Sequence, residues 1–562
     1  MCYEAIVDLE HHSEEIFKTF CDAWETYLRN PDIYEEHLTE PVNPRDIPPS
    51  DVQPHHTTRM LETGIIEEVD AKNVRAWLRA FNVLELAKGR FRNIQWTRTI
   101  NELLPDSLQV VFNPMEFRRQ LVNKASCAAE RDFKSYYHQF LLSVLIRNFF
   151  ALRLPVPEGG TKLFRLCVGA TGQKHMVHVA CATTNALLNF PREDVICDTQ
   201  IDNVLFAGSP IQVAEALATL CQRCEKVDVT INDPTDDFAS IIKTKLTWCG
   251  IVLDFENKRV SVGEKSLKKL ELSWSQKSTW TWQGFAAHMG LLWWSFQIHR
   301  YPIARFFNLL RFVSTTSQAM QAADDKHWHH TAIIHPHVWL DLDAWTKLAL
   351  DNAPTFVPVP PAPESVVKVL VDASSHGWGF VAYDPVAERT HQLGQPWTPA
   401  FAEKHATRLG KSTFTEPWAI LLTKAYLVKS IGRPNIAFHF GSDNAPTVYI
   451  FKRRFSARSY DMNNAAFYDD KHFLEHPCTY VHVPGKRNVL ADAKSRGLSI
   501  NDSAVFGDTD IISSLQRLLG DSPAECDDQN ITTGAGKNEA DVFPNSFSLI
   551  DTMILDNITT YE

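Results

Sequence analysis

Five prolines fall within the fourteen residues "DNAPTFVPVPPAPE" at 351–364. Each removes a backbone donor and fixes φ, so the run cannot belong to a helix interior or a central strand and reads as a stiff, extended connection. A chain of 562 residues is also too long for a single hydrophobic core. The proline run is therefore the strongest boundary in the sequence, and the chain on either side of it must build separate cores.

The 44% hydrophobic content suits ordinary globular domains. No stretch of apolar residues is long enough to cross a membrane, and "MCYEAIVDLEHHSEEIF" lacks the basic and apolar regions of a secretory signal. An intracellular protein with no membrane partner is expected, with nucleus or cytoplasm left open. Cysteines such as Cys127, Cys167, Cys181 and Cys197 stand singly in apolar surroundings, as buried free thiols do. Cys221 and Cys224 form a lone Cys-x-x-Cys on a helical pattern, without the second pair that a zinc site needs.

The net charge of −11 is unevenly spread. Residues 499–562 hold twelve acidic residues against Arg517 and Lys537, a balance of −10, so the rest of the chain is near −1. Within it lie basic clusters, "KGRFRNIQWTR" and "FKRRFSARSY", and a nucleic-acid partner remains open.

Residues 1–55 mix helical periodicity with "NPRDIPPSDVQP" and read as an extended lead-in. An α/β pattern runs to about 270. A Trp-rich helical region with apolar residues at helical spacing follows. After the proline run comes a second α/β unit, and the acidic tail 499–562 has the composition of a disordered segment.

Two sets of carboxylates then stand out. In "CAAERDFKSYYHQFLL" a short apolar strand delivers Asp132, and the hairpin pattern "DVICDTQIDNVLFAGSP" delivers Asp202 in the middle of an apolar run. Carboxylates at strand ends can share hard cations such as Mg²⁺, which take oxygen ligands. Two such ions can clamp the attacking and leaving oxygens of a phosphoryl transfer. Beyond the proline run, Asp372 ("VLVDASSHGWGF"), Glu416 ("TFTEPWAILL"), Asp443 ("FHFGSDNAP") and Asp492 ("NVLADAKSRG") lie at strand ends and helix starts. Such like charges repel when gathered unless divalent cations neutralise them.

The segment from about 60 to 270 resembles the fingers and palm of a reverse transcriptase. The resemblance rests on "KGRFRNIQWTRTINELLP", "RDFKSYYHQF", "RLCVGATGQKHMVHVACATTNALL", "QIDNVLFAG" and "LTWCGIVLDFENKRVSV", in that order. It implies that Asp132 and Asp202 hold metal, that Lys88 and Arg92 meet the incoming triphosphate, and that Tyr137 screens against a ribose 2′-hydroxyl. It also implies that Gly169 and Gln173 shape the nucleotide pocket. The chain departs from the family's Tyr-x-Asp-Asp hairpin at Gln200 and Asn203. Asn203 keeps a carbonyl oxygen but removes a charge, which lowers expected metal affinity.

Residues 366–498 resemble a ribonuclease H domain through the ordered Asp372, Glu416, Asp443, Asp492 set. The wording Gly-Trp-Gly, Ser-Asp-Asn and Pro-Gly-x-x-Asn-x-x-Ala-Asp-x-x-Ser-Arg is similar to tyrosine-recombinase retroelements of the DIRS, Ngaro and VIPER kind, with Lys494 where an apolar residue is usual. In this reading Lys452, Arg453, Arg454 and Arg458 of "KRRFSARS" contact phosphates or form an exposed basic helix end. The histidines His327, His329, His330, His335 and His337 lie in the connection.

The expected fold is α/β and multidomain: a right-hand polymerase with fingers and palm over 56–270, thumb and connection over 271–362, and a ribonuclease H-like domain over 363–498. The resemblance implies Mg²⁺ or Mn²⁺ as cofactor. It implies an RNA template, an RNA–DNA hybrid and deoxynucleoside triphosphates as partners, with other retroelement proteins possible. A second reading stays open, in which a degenerate or domesticated element protein binds nucleic acid without polymerising and keeps at most the nuclease.

Overall fold

The computed structural model describes residues 1–498 apart from 11–12, 40–41, 86–89, 107, 236 and 323–326, with backbone alone at 44, 85 and 90–92. The expected acidic tail and Lys88 lie outside the described residues. Two compact units emerge: one of residues 1–260 with 355–357, and one of the remainder. The mixed α/β, multidomain class expected from the sequence is the class observed.

In the first unit the strands are β1 (Ile66–Glu68), β2 (Arg79–Glu85), β3 (Arg90–Trp96), β4 (Cys127–Asp132), β5 (Ala151–Pro155), β6 (Thr161–Leu166), β7 (Ile196–Gln200), β8 (Asn203–Gly208), β9 (Lys245–Trp248), β10 (Ile251–Asp254) and β11 (Arg259–Val262). β2 and β3 form a separate hairpin, β6 pairs with both β1 and β5, and β7 and β8 join β4 in an antiparallel sheet ordered β4-β8-β7. Strand alternation sends Cys127, Ala129, Val204 and Phe206 to one face of that sheet. There they pack on Met176, Val179 and Ala180 of the helix Met176–Leu187 and on Val213, Leu217 and Leu220 of the helix Pro210–Lys226. Glu130 and Asp132 belong to the opposite face.

The first 55 residues are not an extended lead-in. Helices Tyr3–Val7, Glu14–Trp24 and Asp32–His37 carry Ile6, Phe20, Trp24 and Tyr34 into the same core. Trp24 Nε1–H donates to Thr183 Oγ1 at 2.7 Å. The helical spacing of aromatics decides the structure here, and the prolines break it only after residue 40. The proline run at 351–364 is extended as expected, but it also forms β12 (Thr355–Phe356). These residues fall between Pro354 and Pro358, where backbone donors exist, and they pair antiparallel with Arg259 and Val260 of β11.

The second unit opens with helices Glu264–Ser275, Trp282–His299, Phe307–Ala322 and Pro336–Asp351. They enclose Trp280, Phe296, Phe306, Leu342 and Trp345, and this core continues past the proline run into Phe455, Ala457 and Ala466, so the run is not the boundary between cores that the sequence suggests; the compact units part at residue 260. His288 is buried among them, bonded to Ser273 and Thr346, and burial pushes its pKa down to about 3.

The remaining strands are β13 (Val367–Ala373), β14 (Gly377–Asp384), β15 (Arg389–Pro396), β16 (Phe438–Ser442) and β17 (Cys478–His482), ordered β15-β14-β13-β16-β17. The first three are antiparallel and the last two run parallel to β13. Val367, Val369, Val371 and Phe380 face the long helix Ser412–Ile431, whereas Leu370 and Val381 face the closing helix Val489–Ser495. That helix lies directly on glycines: a Cβ at Gly379 would collide with the backbone of Lys494 and Ser495, and one at Gly394 with the carbonyl of Lys494. The second glycine of Gly-Trp-Gly thus sets how closely the helix bearing Asp492 can approach. Gly379→Ala is expected to destabilise this domain by about 1–3 kcal/mol through overpacking, read as a lowered unfolding temperature, whereas Gly410→Ala, with open space around it, should be nearly neutral.

Candidate active sites

Parallel pairing of β13 with β16 brings two carboxylates together. Leu370 lies opposite Gly441, so Asp372 and Asp443, each two residues further on, leave the same end of adjacent strands. Glu416 reaches them from the first part of the helix Ser412–Ile431. One oxygen from each of Asp372, Glu416 and Asp443 lies within 4.8 Å of the others, the one such group of acid, histidine or cysteine side chains among the described residues. Asp372 and Glu416 are buried and Asp443 is half-buried.

The supporting hydrogen bonds come from residues to which the sequence reading gave no role. Ala373 N–H donates to Glu416 Oε1 at 3.0 Å and Ser442 Oγ–H to Oε2 at 3.2 Å. Ser495 Oγ–H donates to Asp372 Oδ2 at 2.7 Å. Asn488 Nδ2–H holds the carbonyl of Val371 at 3.0 Å, tying the loop before the closing helix to β13. Ser442, Asn488 and Ser495 all fell inside the quoted motifs, so the signal was present but its purpose needed the fold. Asp492, expected as a fourth member, is not part of this close group; it lies on the closing helix near enough for its charge to act on Asp372 and Asp443, and is held by Arg496, whose Nε and Nη2 donate to Oδ1 at 2.9 and 2.8 Å.

Burial, and then the neighbouring charges, raise these acids. Asp372 is pushed up to about 6, against the stabilising bond from Ser495, with Asp443 and Asp492 adding to the rise. Burial and the charges of Asp372 and Asp443 hold Glu416 well above the usual carboxylate range, and burial also raises Asp443. Crowded, partly protonated, all-oxygen donors are what a hard divalent cation relieves, so these residues fit Mg²⁺ or Mn²⁺.

The group at Asp132 and Asp202 is built differently. Asp132 ends β4 opposite Asn203, the first residue of β8, and Asp202 occupies the two-residue turn between β7 and β8. Ile201, the other turn residue, has φ 58°, a strained conformation for a β-branched side chain. Its carbonyl accepts from Thr184 Oγ1–H at 2.8 Å, and the carbonyl of Asp202 accepts from Phe133 N–H at 3.0 Å. Asn203 Nδ2–H donates to Asp202 Oδ1 at 3.1 Å, and Asn232 Nδ2–H to Asp132 Oδ2 at 2.6 Å. Two carboxylates suffice for an ion completed by substrate phosphates. Gln200 accepts from Arg118 at 2.9 Å, and Arg118 also pairs at 2.7 Å with the buried Asp198, which Trp248 and Asn113 complete.

Among the other expected palm residues, Tyr137 is half-buried in the turn Tyr136–Gln139 after Asp132. A Cβ at Gly169 would stand 3.0 Å from its carbonyl and 2.5 Å from Met176 Cε, so these two segments touch only because residue 169 lacks one. Gln173 is buried and donates to Tyr34 OH at 2.8 Å. Arg92 lies in β3 opposite Val83. In the basic segment, Arg454 is taken up by Asp470 and by the carbonyl of Arg300, whereas Lys452 and Arg458 are exposed. His327 and His330 approach through their Nδ1 atoms at 3.2 Å, and neither they nor Cys221 and Cys224 join a three-ligand group among the described residues.

No family model and no curated protein matches the sequence. Among solved structures, the chain is similar to a foamy viral protease–reverse transcriptase, in a dRH form, in complex with double-stranded DNA, at 11% identity and a TM-score of 0.43 over 85% of this chain and 80% of that one. It is also similar to a foamy viral protease–reverse transcriptase in complex with double-stranded DNA, at 13% identity and a TM-score of 0.41 over 85% of this chain and 96% of that one. No helix among the described residues is long and apolar enough to cross a membrane.

The raised acids make stability depend on pH in a stated direction. Asp372 binds protons more tightly folded than unfolded, so between about pH 4 and pH 6 the folded domain carries more protons, and the metal-free domain loses stability as pH rises through that window. The unfolding temperature without divalent ions is expected to fall from about pH 5 to about pH 8, and Mg²⁺ to raise it far more at the higher pH. Asp443→Asn should blunt both effects in the same thermal melts.

Proposed function

We propose that the chain is a retroelement enzyme that copies RNA into DNA and hydrolyses the RNA strand of the resulting hybrid. The observation that carries the reading is the buried Asp372, Glu416 and Asp443 group with Asp492 beside it. Mg²⁺ or Mn²⁺ at this group would neutralise the scissile phosphate and activate the attacking water. The protein's own part is to fix the acids. Ser495 and Ser442 orient Asp372 and Glu416, Asn488 anchors the closing loop, and Arg496 steadies Asp492. A hybrid is read by shape and 2′-hydroxyls, so this site needs little base recognition. The motif wording supports an origin among tyrosine-recombinase retroelements, acting inside the cell in nucleus or cytoplasm.

For the palm, Asp132 and Asp202 would hold the ions for nucleotide addition, with Lys88, Arg92, Tyr137, Gly169 and Gln173 around the deoxynucleoside triphosphate. A second reading, in which the polymerase is lost and the nuclease kept, is favoured by one observation: Asp202 is partnered by the carboxamide of Asn203, where the family pattern supplies a further acid.

The full chain should cleave a labelled RNA–DNA hybrid in Mg²⁺ or Mn²⁺, and Asp443→Asn should reduce cleavage by about a hundredfold or more. Equal cleavage by both proteins would sink the nuclease assignment. Primer extension on an RNA template separates the two palm readings. Product from the natural sequence supports the polymerase, product only from Asn203→Asp supports its decay, and none from either rejects it.

A further inference from the structure

Asn232 follows Asp132 by 100 residues and contacts it twice. Its side chain donates Nδ2–H to Oδ2 at 2.6 Å, and its backbone N–H donates to the Asp132 carbonyl at 2.8 Å. The segment around it is clamped along the chain that leaves β4. Ile231 bridges Phe133, Lys134 N–H donates to the Thr230 carbonyl at 3.0 Å, and Gln139 bonds both the N–H and the carbonyl of Thr230 at 2.9 Å. An amide so held has little freedom to move away from the carboxylate it meets.

We infer that Asn232 is a positioning residue of the palm site, fixing the rotamer of Asp132 as Asn203 fixes that of Asp202. The inference rests on the reading of the palm as a divalent-ion site. A carboxamide suits the task physically, because it orients a carboxylate through an N–H without adding positive charge, whereas lysine or arginine there would cancel the charge an ion requires. On this view Asn203 is not merely a missing acid. It belongs to an arrangement in which each of the two carboxylates accepts a hydrogen bond from a neutral carboxamide.

The test is Mn²⁺ binding by the full chain, followed by electron paramagnetic resonance of the free ion, with Asp372→Asn and Asp443→Asn present throughout to silence the nuclease group. Adding Asp132→Asn should abolish the remaining binding. Adding Asn232→Ala should weaken it about tenfold, the lower end of the range for removing a partner that orients a metal ligand. Asn232→Ser, which keeps a shorter donor, should fall between. If Asp132→Asn abolishes binding but neither Asn232 variant alters the affinity, the positioning role is overturned while the palm reading stands. If Asp132→Asn changes nothing, the palm reading fails and the inference with it. Should Asn232→Ala not fold, judged by its thermal melt, the serine variant decides.

Discussion

The structure depends most on the close approach of buried, like-charged groups at the ends of two parallel strands. Bringing Asp372, Glu416 and Asp443 within 4.8 Å of one another works against both desolvation and Coulomb repulsion. The surrounding fold offsets that cost with donors from Ala373, Ser442 and Ser495, and with a closing helix seated on glycines so that Asp492 can face the group. An arrangement that opposes folding in the ion-free state carries its own functional argument, because stability alone would favour apolar residues at the end of such a sheet.

The site at Asp132 and Asp202 makes a contrast with that group. Its two carboxylates belong to no close three-acid group among the described residues, and each is met by an amide. The strained backbone at Ile201 sits one residue before Asp202, and a hydroxyl from the helix beneath holds that turn in place. Strain of this kind persists only where surrounding contacts over-determine it, and it gathers where a side chain must be presented in one direction. The Arg118–Asp198 pair shows how the same hairpin absorbed Gln200: a buried guanidinium joins the glutamine to an ion pair that Trp248 and Asn113 complete.

Much of this was legible before any coordinates. The proline run predicted an extended connection, and the motif order around Asp372, Glu416, Asp443 and Asp492 pointed to one cluster. The N-terminal helices differ from the extended lead-in that the prolines at 44–54 suggest, because Phe17, Phe20 and Trp24 recur at helical spacing and the prolines act only on their own neighbours. The proline run also supplies β12, which local sequence did not show, since edge pairing depends on a partner strand some 95 residues earlier.

The sequence by itself determined which residue types occur and in what local setting: acids at strand ends and helix starts, glycines within a strand, a carboxamide where an acid was expected. It determined these because periodicity, turn chemistry and proline act over a few residues. Only the tertiary structure decided that Ser495 holds Asp372, that Gly379 makes room for Ser495, and that Asn232 rests on Asp132. Such contacts join residues a hundred or more apart, and their geometry is set by strand register and helix seating, which no local pattern encodes.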